Sequence, residues 1–272
     1  MIALISKKEA EKILSAKGEV NISLDAGMSL TKAFVDHRQA EILGQKIDID
    51  EFKKIRKNSY YFIEAGHVKK LAFFSQESNF YYKLMPSSDW PTVTLSSTPM
   101  HRWVLVSPKE DTLSKIKEIS PIKGKVLDTC CGLGYTAIMS AKDAEEVHTF
   151  ERDEYVIHVA KLNPYSQDLF SNKKIMLMHG DIFQIINKLQ GNFFERVVHD
   201  PPTFKYSPEL YSKEFYEQIF RVMKKDAILY HYAPWPHRTG KPMYLRIMNL
   251  LSESGFRNIR YSEASSGVVA KK

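Results

Sequence analysis

Apolar and polar positions follow two rhythms that meet near residue 95. Before that point the strand-like runs are short and close together: Glu19 to Leu24, Leu30 to Val35, Tyr60 to Ala65, Val68 to Phe74 and Phe80 to Leu84. Such spacing predicts antiparallel pairing. Asp48 to Lys57 interrupts it with a helical stretch, acidic at its start and basic at its end, as the helix dipole favours. The aromatic run from Phe73 to Tyr82 fits a hairpin with one face in a core better than a stacking surface. Loop residues collect at Pro86 to Pro91 and at Ser96 to Pro99, on either side of one more short strand, Thr92 to Leu95. Residues 1–95 are therefore expected to form a small α+β domain, and residues 96–272 a second domain.

Beyond the boundary, apolar strands alternate with helical stretches. The expected strands are Lys125 to Asp128, Glu146 to Phe150, Ile175 to His179, Arg196 to His199, Ala227 to Tyr232, Phe256 to Tyr261 and Val268 to Ala270. Helices are expected from Tyr135, over Glu154 to Leu162 and Phe183 to Leu189, and about Pro208 to Lys224 and Pro242 to Glu253. This order predicts an α/β fold: a Rossmann-like, doubly wound and mostly parallel seven-stranded sheet with helices on both faces. In such sheets ligands sit beyond the carboxyl ends of the strands, where the strand order reverses. The residues at each strand end therefore carry the functional information.

The first strand closes V-L-D-T-C-C-G-L-G-Y-T-A, Val126 to Ala137: an acid, a glycine-bearing turn and a helix start. Gly132 and Gly134 let backbone approach a ligand, and the amides at the helix start offer donors to a polar or anionic group. Two glycines alone are a weak signal, and a plain strand-to-helix turn is the alternative. A G-x-G-x-x-G dinucleotide fingerprint would need glycine where Cys130 and Tyr135 stand, so a pyrophosphate ligand loses its spacing. The second strand ends at Glu151, near the separation from Asp128 at which an acid grips ribose hydroxyls. The third ends H-G-D-I-F, with Asp181 set to accept from an adenine amino group and Ile182 to cover the ring. Each acid singly could be solvated or cap the helix that follows. Jointly they imply an adenosine-bearing ligand without phosphates, since three carboxylates and no P-loop lysine would repel a triphosphate.

The fourth strand ends V-V-H-D-P-P-T-F, Val197 to Phe204. Two consecutive prolines fix φ and remove two amide donors, which leaves carbonyl groups presented beside the Asp200 carboxylate. Either this is a plain Pro-Pro strand stop, or Asp200 with the Pro201 and Pro202 carbonyls forms an acceptor cluster suited to an exocyclic amine. Two further stretches stay open. Pro99-Met100-His101-Arg102-Trp103 either lines a site, with Arg102 on phosphate and His101 or Trp103 on a base, or is a packed linker. His231 closes the fifth strand, as a substrate contact or as a buried, hydrogen-bonded histidine.

Composition narrows the partners. Thirty-nine Lys and Arg against 32 Asp and Glu give a net charge of +7, which suits a polyanion. Lys53, Lys54, Arg56 and Lys57, followed by Tyr60 and Tyr61, form a basic-aromatic group of the kind RNA binders use, unless they are a solvated face. No apolar stretch approaches the roughly 18 residues of a membrane span. The opening Met1 to Ile5 runs straight into Lys7-Lys8-Glu9 and does not resemble a secretory signal. Cys130 and Cys131 are adjacent, which fits neither an ordinary disulfide nor a zinc site, so no metal is expected and a reducing cytoplasm is the expected setting.

Taken together these residues resemble the class I S-adenosylmethionine-dependent methyltransferases, and D-P-P followed closely by an aromatic resembles the branch that methylates exocyclic nitrogens of nucleobases. The resemblance runs from Trp103 to the C-terminus. More narrowly, D-T-C-C-G-L-G-Y-T-A, N-P-Y-S-Q-D-L-F (Asn163 to Phe170), H-D-P-P-T-F, E-L-Y-S-K-E-F-Y (Glu209 to Tyr216) and the terminal G-V-V-A resemble an archaeal family that includes N4-cytidine methyltransferases of small-subunit ribosomal RNA. Two departures stand out: Cys130 replaces the usual first glycine, and Thr203 stands where D-P-P-Y has its base-stacking ring, which leaves Phe204 as the expected platform. The resemblance implies S-adenosylmethionine as cofactor. Asp128, Thr129, Cys130, Gly132, Gly134, Tyr135 and Thr136 would surround its methionine part and ribose, Glu151 its ribose hydroxyls, and Asp181 with Ile182 its adenine. Asp200 would face both the sulfonium and the target amine, with Thr203, Phe204, His101, Arg102 and His231 on the substrate side.

Chemistry separates this expectation from its neighbours. Carbon-5 methylation ordinarily needs a cysteine nucleophile, and the only thiols lie in the cofactor turn. Ribose methylation usually recruits a lysine, and the nearest in sequence to the end of the fourth strand, Lys205, lies beyond the Pro-Pro turn. Two other classes remain: a transferase that alkylates a small-molecule amine by methyl or aminopropyl transfer, and a non-catalytic RNA-binding protein with this fold. The expected partner is ribosomal RNA.

Overall fold

The computed structural model describes residues 2–102, 104–233 and 242–272, and they divide into two compact units. The first is Met1–Lys109 with His158–Gln167, and the second is Glu110–Ile157 with Asp168–Lys272. Trp103 lies outside the described residues. Among the described residues no helix is long and apolar enough to cross a membrane.

Short antiparallel sheets build the first unit. One joins Gly18–Ile22, Thr31–Val35, Gln39–Ile42 and Gln45–Asp48, each strand pairing with the next. Side chains alternate across it: Ala33, Val35, Ala40, Ile42 and Ile47 enter a core with Ile13 of the helix Lys7–Ser15 and Phe52 of the helix Ile49–Lys53, while Lys32 and Phe34 face outward. Gln39–Ile42 and Gln45–Asp48, like the helix Lys7–Ser15, stand outside the sequence expectation. Their hairpin turns on Leu43 and Gly44, both at positive φ (51° and 74°), a geometry that Asn-Gly or Asp-Gly usually announces and Leu-Gly hides. The run Val68 to Phe74 is two strands, His67–Lys70 and Ala72–Ser75, which belong to different sheets. The expected helix from Asp48 ends early at Lys53, and two of its basic residues are ion-paired within it, Lys53 to Asp50 at 2.6 Å and Lys54 to Glu51.

The second unit holds a sheet of seven strands, here numbered β1 (Lys125–Asp128), β2 (Glu146–Glu151), β3 (Ile175–His179), β4 (Phe194–His199), β5 (Met223–Tyr232), β6 (Arg257–Ser262) and β7 (Gly267–Lys271). Their order is β3-β2-β1-β4-β5-β7-β6, with β1 to β5 parallel and β7 antiparallel to both its neighbours. This is the doubly wound α/β sheet that the alternation predicts. The order reverses at β1, whose successor β2 lies on one side and β4 on the other, so the crevice of such folds opens at the ends of β1 and β4. Its connecting helices include α1 (Pro108–Glu118), α2 (Tyr135–Ala141), α3 (Ile182–Ile185) and α4 (Lys213–Val222). Leu127, Phe150, Val197, Leu229, Val268 and α4 residues such as Phe215 and Ile219 share one buried cluster, which fixes the strand ends rigidly.

One connection departs from expectation in a way that shapes the site. Pro208 to Lys224 is not one helix: a 3-10 turn, Pro208–Tyr211, stops at Ser212, whose hydroxyl accepts from Phe215 N–H and starts α4 afresh. The break leaves the Leu210 carbonyl and the Tyr211 hydroxyl available to the end of β4.

Candidate active site

Asp128 closes β1 fully buried. Its Oδ2 accepts hydroxyl hydrogens from Thr149 (2.9 Å) and Thr136 (3.1 Å), while Oδ1 is buried and has no partner among the described residues. Among the described residues no cation is paired with it, and burial pushes its pKa up to about 7, against the pull of the two hydroxyls. Beyond it the chain turns through Gly132 (φ 56°) and Gly134 (φ 80°) into α2. A Cβ on Gly134 would meet Leu169 Cδ2 at 2.7 Å, so this glycine answers both to its left-handed backbone and to close packing. Tyr135 and Thr136 are buried in the first turn of α2. Burial raises both thiols of Cys130 and Cys131, which disfavours a thiolate nucleophile.

Glu151 ends β2 and folds back over this turn. Its Oε2 accepts the Gly132 N–H at 2.8 Å and its Oε1 accepts the Asp153 N–H at 3.0 Å. Burial raises its pKa, partly offset by these two amides. Each carboxylate oxygen can accept a second hydrogen bond, so a vicinal diol can still donate to it. Asp181 caps α3, accepting from Phe183 N–H at 2.9 Å, and Ile182 is only 3% exposed in the core cluster. Ile182 thus covers core rather than a ligand ring, a correction to the expectation drawn from its position.

At the end of β4 the acceptors have distinct fates. The Pro202 carbonyl accepts the Tyr211 hydroxyl at 2.8 Å, which braces the turn. Pro201 is buried, and Thr203 is exposed. Asp200, its side chain 23% exposed, pairs through Oδ2 with Lys115 Nζ at 2.7 Å. Lys115 comes from α1, is 3% exposed, and also pairs with Asp111 at 2.8 Å. Burial alone would lower its pKa, but Asp200 and Asp111 together raise it above the usual lysine value. The lysine at the end of β4 is therefore Lys115, not the Lys205 nearest in sequence. Sequence reasoning missed it, although an Asp and a Lys four apart on one helix were a visible sign of a pair.

Phe204 packs partly buried against the core, edge-on to Tyr211 with centroids 5.6 Å apart, and the Arg246 guanidinium lies 5.3 Å from its ring centre. A base would have to share that ring with a cation already present. His231 corrects another expectation: it is 0% exposed, accepts from the Tyr216 hydroxyl at Nε2 (2.9 Å) and donates from Nδ1 to the Tyr232 carbonyl (2.7 Å). Both nitrogens are spent in the core, so it is no substrate contact. His199 is its neighbour, with centroids 4.4 Å apart. It donates from Nε2 to Leu210 O (3.0 Å), and its Nδ1 accepts from Thr129 Oγ1 (2.7 Å), which ties the β1 turn to β4. Burial pushes His199 down to about 4. His101 and Arg102 belong to the first unit, where His101 Nδ1 meets Thr92 Oγ1 at 2.9 Å. Among the described residues no group of three His, Cys, Asp or Glu side chains is placed to hold a metal ion.

The β1 end fits an adenosine-bearing ligand with a cationic tail. Asp128 Oδ1 is an orphaned buried acceptor that a donor-bearing ligand would complete, and Glu151 keeps lone pairs for a diol. Residues 123–214 match the model of a family described as RNA cap guanine-N2 methyltransferase. The uncharacterized protein MJ1233 of Methanocaldococcus jannaschii is 39% identical over 278 residues, spanning 98% of this chain and 95% of that protein. A spermidine synthase solved with the transition-state analogue AdoDATO superposes with a TM-score of 0.59 at 16% identity, over 74% of this chain and 72% of that one. The spermidine synthase of Thermotoga maritima gives 0.56 at 16%, over 74% and 70%. At such identities the structural likeness is one of fold.

Proposed function

The chain belongs to the family of the Methanocaldococcus jannaschii protein MJ1233 and has a class I S-adenosylmethionine-dependent methyltransferase fold, and from that premise we propose that it methylates an exocyclic amine of a nucleobase in RNA, N4 of cytidine in ribosomal RNA. One observation carries the reading: β1 and β4 lie side by side at the point where strand order reverses, so the buried Asp128 turn and the D-P-P turn of Asp200 border the same crevice. The matched family description names a guanine N2, which is also an exocyclic amine. The net charge of +7 favours a polyanion over a polyamine, whose transfer enzyme would call for an acidic entrance.

The cofactor is S-adenosylmethionine; when bound it supplies an electrophilic methyl group on a sulfonium. The chain binds and aligns. Glu151 would hold the ribose hydroxyls, Asp128 with the Gly132–Gly134 turn the methionine end, and Asp181 the adenine amino group. An exocyclic nitrogen is a weak nucleophile because its lone pair is delocalised into the ring. Asp200 and the Pro201 carbonyl accept its N–H hydrogens, which localises the lone pair and offsets the positive charge that the nitrogen gains during transfer. Asp200 acts as an acceptor and need not keep a proton, which the methylated nitrogen releases to solvent.

The test is the modified nucleoside. Purified protein, labelled S-adenosylmethionine and unmodified small-subunit ribosomal RNA should give N4-methylated cytidine on digestion and mass spectrometry. N2-methylguanosine or N6-methyladenosine would keep the exocyclic-amine reading and remove the cytidine one. Direct formation of 5-methylcytidine or a 2′-O-methyl nucleoside would overturn both, and label found only on a free polyamine would establish the small-molecule alternative.

A further inference from the structure

Lys115 is a buried cation that the function above leaves unused. Its ammonium sits between Asp111 (2.8 Å) and Asp200 (2.7 Å) and lies 5.1 Å from the ring centre of Tyr232. Taking an ammonium out of water costs several kcal/mol unless it is paired, and an apolar side chain of similar volume would serve a core more cheaply. Asp111, one turn away on the same helix, already supplies a counter-charge. The second bond crosses to a carboxylate 85 positions away in sequence, the one that ends β4.

We propose that Lys115 is a positioning residue for Asp200: it fixes Oδ2, so the carboxylate meets the substrate amine in one orientation and as an anion. The proposal rests on the reading that Asp200 faces that amine. The groups around Asp200 come from several elements: Lys115 and Asp111 on α1, Asp128 and Cys130 at the β1 turn, Tyr211 after the D-P-P turn, and Tyr232 at the end of β5. Among them Lys115 is ion-paired with Asp200. Without it, Asp200 loses an ammonium at 2.7 Å and keeps the Asp111 carboxylate nearby, a change that favours its protonated form relative to wild type. A protonated Asp200 is a poorer acceptor and no longer offsets charge on the nitrogen.

The experiment compares wild type, Lys115→Met and Lys115→Arg in methyl transfer from S-adenosylmethionine to unmodified small-subunit ribosomal RNA, reading kcat and KM separately across pH. Calorimetric binding of S-adenosylmethionine to the same preparations reports the integrity of the β1 side. Lys115→Met is expected to lose about ten-fold or more in kcat, with KM for RNA and cofactor affinity held within about two-fold, because a transition-state contact is misaligned. Its rate should climb with pH, as Asp200 ionises, more steeply than that of the wild type. Arg, which keeps the charge, should recover most of the loss. Should Lys115→Met fail to fold, Lys115→Gln keeps the length and a neutral donor, and the same kcat loss and pH slope are expected. A folded Met or Gln variant with unchanged kcat and an unchanged profile overturns the proposal, as does equal loss of kcat and cofactor affinity, which marks general damage. A wild type that binds cofactor and methylates no nucleobase removes the functional reading and this proposal with it, and is told apart because it appears before any substitution.

Discussion

Asp128 and Asp200 end adjacent parallel strands, yet they sit in opposite electrostatic settings. Asp128 is wholly buried and held by two threonine hydroxyls, with no cation paired to it among the described residues, and its pKa rises to about 7. Asp200 is partly exposed and pairs with an ammonium at 2.7 Å. Two carboxylates set apart in this way can take two roles within one crevice. The β1 end gains most from a ligand that brings donors and positive charge, which an aminoacyl sulfonium does. The β4 end keeps its charge through its own lysine and is ready for a neutral amine that becomes positive only during transfer.

The sharpest way to break this contrast is to delete its charged member. Asp200→Ala should lower kcat by about 10² to 10³, the scale of one oriented transition-state contact, with RNA affinity little changed; initial rates at saturating cofactor measure it. Unchanged turnover would make the D-P-P turn a strand stop. On the other side of the crevice, Glu151→Ala should weaken S-adenosylmethionine by about 1 to 3 kcal/mol in calorimetry, the cost of losing charged hydrogen bonds. If Asp200→Ala weakened the cofactor as much, the division of labour between the strand ends would be gone. Phe204→Ala should raise KM for RNA by about 1 kcal/mol, the low end of base stacking, because Arg246 and Tyr211 already cover part of the ring.

The smallest effect is on stability against pH, and its sign is fixed by the pKa directions. Asp128 rises from 3.8 to about 7, so the folded chain holds a proton that the unfolded chain has released. That contribution is fully present below the unfolded pKa and is lost as pH rises through about 7. His199 runs the other way: lowered from 6.5 to about 4, it adds stability above 6.5 that is lost as pH falls through 4. Asp128→Asn should therefore remove the loss that runs from about pH 4 to 7, so that its urea midpoint gains on that of wild type across this window, and leave the opposing contribution of His199 in place. A difference between the two midpoints that stays constant from about pH 4 to 7 would show that Asp128 does not titrate in this window.

The sequence by itself determined the seven alternating strands, the reversal they imply, and the residues Asp128, Glu151, Asp181 and Asp200 at the strand ends. Those features are written in local periods of apolar residues and in punctuation by Gly and Pro, which neighbours along the chain largely decide. Tertiary structure alone decided what surrounds each acid. Lys115 reaches Asp200 only because the fold brings α1 to the end of β4, and His231 loses its candidate role only because Tyr216 and the Tyr232 carbonyl take both its nitrogens. Ser212 splits a helix that periodicity ran together, and the break frees Leu210 and Tyr211 to hold His199 and Pro202. The reason is physical: a strand's pattern is a property of consecutive residues, whereas the charge state and free lone pairs of a buried group sum over every neighbour the fold brings within a few ångströms, and those come from distant parts of the chain.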